Sequence, residues 1–115
     1  MWRLSDPTAF AALRASRHRI RRGPLSVTWA ASPVDEPPRV AYAIGRRVGG
    51  AVERNRVRRR LRTVMADLDP APGRYLIRVA PTDSELSFLD LKALVSNALL
   101  ALPTLENAPA ESPVR

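Results

Sequence analysis

The sequence predicts a single mixed α/β domain in the order α-β-β-α-β-α, on three observations. Residues 25–29 and 39–44 alternate side chains with the period of a strand, whereas residues 57–68 repeat apolar side chains with the period of a helix. Residues 75–80 and 86–102 then supply an apolar segment of strand length and one of helix length, parted by a connection that starts at Pro81. With 115 residues the chain is long enough for one core and too short for two ordinary domains. The domain is expected over residues 1–103, with 104–115 as a flexible tail. Apolar residues make up 45% and charged residues 26% of the chain, a globular mix that argues against disorder despite eleven prolines.

In chain order, Asp6-Pro7 suits an N-cap and first helical position, and opens a short helix in which Phe10 and Leu13 share a face. An arginine-rich run from Ser16 to Gly23 follows, broken by Gly23-Pro24. Leu25-Ser26-Val27-Thr28-Trp29 sets Leu, Val and Trp against Ser and Thr, the pattern of a half-buried strand. Ala31 to Pro38, with Ser32-Pro33 and Pro37-Pro38, reads as a loop. In the next strand, Val40, Tyr42 and Ile44 face one way and Ala41 and Ala43 the other. These two strands are expected to pair as a long-looped hairpin.

Gly45 and Gly49-Gly50 turn the chain into a helix from about Ala51. Its apolar stripe is Val57, Leu61, Val64, Met65 and Leu68, and Pro70-Ala71-Pro72-Gly73 ends it. Tyr75 to Ala80 is mostly apolar and so belongs in the middle of the sheet. Thr82-Asp83-Ser84-Glu85 has the form of a capping box. The last helix then carries Leu86, Leu89, Leu94, Ala98 and Leu102, with Leu91, Val95 and Leu99 beside them, until Pro103 stops it.

Charge is distributed unevenly along this framework. Residues 1–62 hold fifteen arginines against four acids, whereas residues 63–115 hold four basic residues against seven acids. Eight of the arginines lie between Arg46 and Arg62, with Glu53 as the one acid among them. Such crowding costs self-repulsion, and a polyanion relieves it. Eighteen of the nineteen basic residues are arginine, which suits bidentate phosphate contacts, although a GC-rich genome would also write Arg for Lys. At ~100° per residue, Asn55, Arg56, Arg59 and Arg62 project away from the apolar stripe. Arg58 and Arg60 flank it, and Arg54 lies on its side one turn earlier. A merely solvated face would mix signs to gain i,i+4 pairs, yet only Glu53 can pair with nearby arginines. Arginines in the first turns, with Asp67 and Asp69 near the end, reverse the arrangement the helix dipole favours. Asn55 adds a group that both donates and accepts.

Other functions find little support. The chain has no cysteine, hence no disulfide, thiolate metal site or cysteine nucleophile. No apolar run nears the ~20 residues of a membrane span, and the start lacks a signal-peptide core, so the cytoplasm is the expected compartment. A peripheral membrane role is disfavoured because the arginine helix has no large apolar residues beyond those a core needs. His18, the single histidine, sits in a basic run that suits phosphate contact or solvation better than general-base work. No carboxylate cluster has metal-site spacing. No catalytic residue and no bound cofactor are expected.

The stretch Arg46-Arg47-Val48-Gly49-x-Ala51-Val52-x-Arg54-Asn55-Arg56-Val57-Arg58-Arg59 closely resembles the signature of the bacterial ribonuclease P protein family. The similarity extends from about residue 3 to 102, taking in the Phe10 helix, Arg22-Gly23, Arg39-Val40, the third strand and the last helix. It implies an α/β two-layer sandwich with a left-handed βαβ crossover, against the usual right-handed rule. It also implies an accessory subunit of an endoribonuclease whose RNA removes the 5′ leader of precursor tRNA with Mg²⁺. By position, Arg46, Arg47, Arg54, Asn55, Arg56, Arg58, Arg59 and Arg62 would contact the catalytic RNA. Phe10, unless it is a core residue, would stack on a leader base in a cleft between the first helix and the sheet, with Arg17 on phosphate. Arg14 stands where relatives often have a second aromatic residue, and Thr28 or Trp29 would take the place of a strand aromatic. The alternative is a general structured-RNA-binding or ribosome-associated protein with no part in cleavage.

Overall fold

The computed structural model describes residues 2–3, 11, 13–31, 37–81 and 86–102. Its five strands are β1 (Trp2–Arg3), β2 (Arg19–Arg22), β3 (Leu25–Ala30), β4 (Arg39–Ile44) and β5 (Arg74–Val79). They form one sheet in the order β1-β4-β5-β3-β2. Residues 11 and 13–15 are helical. A 3₁₀ turn at Arg46–Val48 leads into the arginine helix, Ala51–Leu68, and the C-terminal helix spans Phe88–Ala101.

The expected β3–β4 hairpin does not form. β5 lies between the two strands, antiparallel to β3 and parallel to β4. A parallel neighbour needs a crossover, which the arginine helix provides between Ile44 and Arg74. Interposing β5 gives its Tyr75-Leu76-Ile77 run apolar cover on both faces, where all three residues are buried. An edge position would have left one row of its backbone N–H and C=O groups unpaired.

Two strands escaped the sequence reading. β1 is only two residues long and pairs with Arg39 and Val40. β2 is Arg-Ile-Arg-Arg, whose charge hides its alternation. It pairs with β3 through a turn at Gly23-Pro24, in which Gly23 takes φ 58°, a conformation glycine adopts without penalty. β3 is buried at Ser26 and Thr28 as well as at Leu25, Val27 and Trp29, so it is covered on both faces rather than half-buried.

The arginine helix and the C-terminal helix lie on one face of the sheet. Val57, Leu61, Val64 and Met65 from the arginine helix, with Leu91, Val95 and Ala98 from the C-terminal helix, pack on Leu25, Val27, Trp29, Val40, Ile44, Tyr75, Ile77 and Val79. Leu13 covers the opposite face, against Ala41 and Leu76. Gly73 is dictated by packing as well as by its φ of 147°, since a Cβ there would fall 1.9 Å from Trp29 Nε1.

The C-terminal helix starts later than expected. Its capping box is Ser87 with Asp90: Ser87 Oγ accepts from the Asp90 N–H at 3.1 Å, and Asp90 Oδ2 accepts from the Ser87 N–H at 3.2 Å. The anticipated box at Thr82–Glu85 lies outside the described residues, as does the tail from 104. The phase of the helix also differs, because Leu91, Val95, Ala98 and Leu102 are buried whereas Leu89 and Leu100 are exposed. Asp90 and Asn97, seven residues apart, are all that marks its exposed side among the leucines, too little to set the phase.

Candidate nucleic-acid interface

The arginine helix divides as its spacing requires. Asn55, Arg56, Arg59 and Arg62 are exposed, while Arg54, Arg58 and Arg60 are half-buried at the flanks. Arg46 and Arg47 are exposed on the 3₁₀ turn that precedes the helix. No side chain caps the helix at Gly50, and no basic residue lies in its last turn. Arginine is therefore concentrated at the end where the helix dipole disfavours it.

Two of these arginines are held within the protein. Arg60 Nη1 donates to the Leu86 carbonyl at 2.6 Å, tying the arginine helix to the approach of the C-terminal helix. Arg58 Nη1 donates to Asn55 Oδ1 at 3.0 Å. Arg54 Nε is buried without a hydrogen-bond partner, leaving a charged donor unsatisfied in the free protein. Asn55, Arg58, Arg59 and Arg62, together with Val52, line a concavity of about 470 Å³. Tyr42 lies beneath this side of the helix. Burial pushes its hydroxyl up to about 12, with Arg62 pulling the other way.

The second face of the sheet is also basic. Strand alternation and register set Arg21, Ser26, Arg78 and Ala43 side by side on the face that Leu13 partly covers. Thr28 belongs to this face, whereas Trp29 and Tyr42 belong to the helix-covered face, so of the strand positions considered for the leader only Thr28 is on the side of the first helix. Trp29 instead packs on Gly73, with its ring centroid 5.7 Å from that of His18. Arg17 is exposed just beyond Leu13, and Phe10 falls outside the described residues. Arg21, Arg78 and Val52 were missed as site residues. The period-two phase of β5 against Leu76 would have found Arg78, and the spacing of Val52 from Asn55 and Arg59 would have found Val52.

Among the described residues no group of three or more His, Cys, Asp or Glu gathers as metal ligands, and no helix is long and apolar enough to cross a membrane.

The architecture defines a class: a small α/β protein that presents one arginine-rich helix outward while the sheet's opposite face keeps its own arginines. The family model for ribonuclease P matches residues 1–102, and the chain belongs to that family. It is 34% identical to the ribonuclease P protein component of Acidothermus cellulolyticus over 96% of each chain. It is 33% identical to that of Roseiflexus castenholzii, over 97% of this chain and 94% of the relative. In structure it is similar to the Staphylococcus aureus RNase P protein, with a TM-score of 0.74 at 14% identity over 86% of this chain and 93% of that one. The Thermotoga maritima RNase P protein superposes with a TM-score of 0.69 at 18% identity, covering 86% of this chain and 96% of that one. The chain is thus a protein subunit of ribonuclease P, accessory to an endoribonuclease in tRNA processing, and its family partners the ribonuclease P RNA.

Proposed function

We propose that this subunit docks on the ribonuclease P RNA through the outer face of the arginine helix and holds the 5′ leader of precursor tRNA against the second face of the sheet. Asn55, Arg56, Arg59 and Arg62 make the central RNA contacts, with Arg46, Arg47, Arg54 and Arg58 around them. Phe10 and Arg17 meet the leader, joined by Arg21 and Arg78. Hydrolysis belongs to the RNA and its Mg²⁺, and the protein contributes charge neutralisation and substrate grip in the cytoplasm. The observation that supports this reading best is the exposed face itself, four residues without an acid among them, on the helix whose sequence carries the family signature.

The test is cleavage of precursor tRNA by ribonuclease P RNA at low Mg²⁺, with and without the purified chain. Stimulation that depends on a leader is expected. No stimulation would overturn the proposal, and comparable affinity for unrelated structured RNAs without leader dependence would favour a general RNA-binding protein instead.

A further inference from the structure

We infer that the concavity on the arginine helix seats one unstacked nucleotide of the ribonuclease P RNA, its base lying on Val52 and its edge read by the Asn55 amide. This rests on the docking reading above and specifies what that face recognises beyond phosphate. The concavity, about 470 Å³ and open on its outer side, is far larger than a single phosphate requires.

The lining is not that of a phosphate clamp alone. Val52 is 66% exposed, and it shares an arc of the helix with Asn55, Arg59 and Arg62 at i, i+3, i+7 and i+10. A phosphate would leave this apolar side chain wet. A base laid across it removes its surface from water, the favourable direction. The arginines around it offer planar guanidinium groups for stacking and donors for the flanking phosphates.

Asn55 supplies the reading group. Its Oδ1 is engaged by Arg58 Nη1 at 3.0 Å, and the reverse amide orientation would set two donors against each other. The Nδ2 hydrogens are therefore left to face outward, and they select acceptors: a base carbonyl or an unprotonated ring nitrogen. In an A-form duplex the Watson–Crick edge is paired, the major groove is too deep and narrow for side chains to enter, and the shallow minor groove offers acceptors to Asn55 but no base face to Val52. The occupant that satisfies both Val52 and Asn55 is a nucleotide turned out of its stack.

The experiment measures affinity of the full chain for ribonuclease P RNA across a salt series, for the parent and for Val52→Ser, Asn55→Ala, Arg59→Ala and Arg62→Ala. All four positions are exposed, and thermal melting checks that each variant keeps the fold. Asn55→Ala is expected to weaken binding about fivefold to tenfold and Val52→Ser about threefold, neither changing the log-log salt slope, because neither contact is ionic. The two arginine variants are expected to flatten the slope by up to ~1 each. Base-specific chemical probing of the RNA should show one nucleotide whose protection disappears with Asn55→Ala. If the Val52 and Asn55 variants bind like the parent while the arginine variants flatten the slope, the face grips phosphate only; the nucleotide site is overturned and docking stands. If none of the four changes binding, docking through this face fails as well.

Discussion

The helix-covered face of the sheet carries Leu25, Val27, Val40, Ile44, Ile77 and Val79 beneath two helices, whereas the opposite face carries Ala41, Ser26 and Arg78, with Leu13 as its buried helical contact. At ~1.5–3 kcal/mol for each large side chain fully buried, the first face supplies most of the stability. Among the described residues the second has a smaller cluster of Leu13, Ala41 and Leu76. Arg21 and Arg78 are exposed on it beside the small residues Ser26 and Ala43. The same strands thus support the main core on one side and a face with exposed arginines on the other.

The largest test of this division is Leu61→Ala, at a position with no exposure in the middle of the arginine helix. A loss of about 2–5 kcal/mol is expected in chemical denaturation, with RNA affinity preserved wherever the variant is still folded. A comparable loss of affinity in the folded variant would mean that core and interface are not separable. On the second face, replacing Arg21 and Arg78 together by Ala is expected to change stability by no more than about 0.5 kcal/mol. It should weaken binding of leader-bearing precursor tRNA several-fold while leaving mature tRNA unaffected. Equal effects on both RNAs would remove the leader from this face.

The smallest effect concerns Tyr42. Its hydroxyl ionises near 10 when unfolded and is pushed up to about 12 in the fold by burial, against the pull of Arg62. Between these values the folded state keeps a proton that the unfolded chain has released. Stability should therefore fall as pH rises from about 10 to about 12. Denaturation of Tyr42→Phe and the parent across this range should show a shallower decline in the variant, and identical curves would place Tyr42 in water in the folded state.

Much of the arginine helix was legible in the sequence because a helix is a local structure with a strong period. The stripe through Val57, Leu61, Val64 and Met65 fixed both the buried face and, by opposition, the exposed Asn55, Arg56, Arg59 and Arg62. The same reasoning missed β2, where three arginines among four residues masked a strand whose Ile20 alone reaches the core. It also misjudged the C-terminal helix, where leucines on every side made Leu89 and Leu91 look equivalent although only Leu91 is buried.

By itself the sequence determined the element types, the charged helix with its two faces, and the family. Those depend on residue spacing within one segment and on a signature within 14 consecutive residues. Only the tertiary structure decided that β5 enters between β3 and β4. That choice depends on which strand most needs cover on both faces, a competition among distant segments. The same pairing put Arg21 beside Ser26 and Arg78, and turned Thr28 toward the first helix and Trp29 away from it. Alternation within a strand separates Thr28 from Trp29, but which strands stand side by side, and in what register, is set by pairing between distant segments.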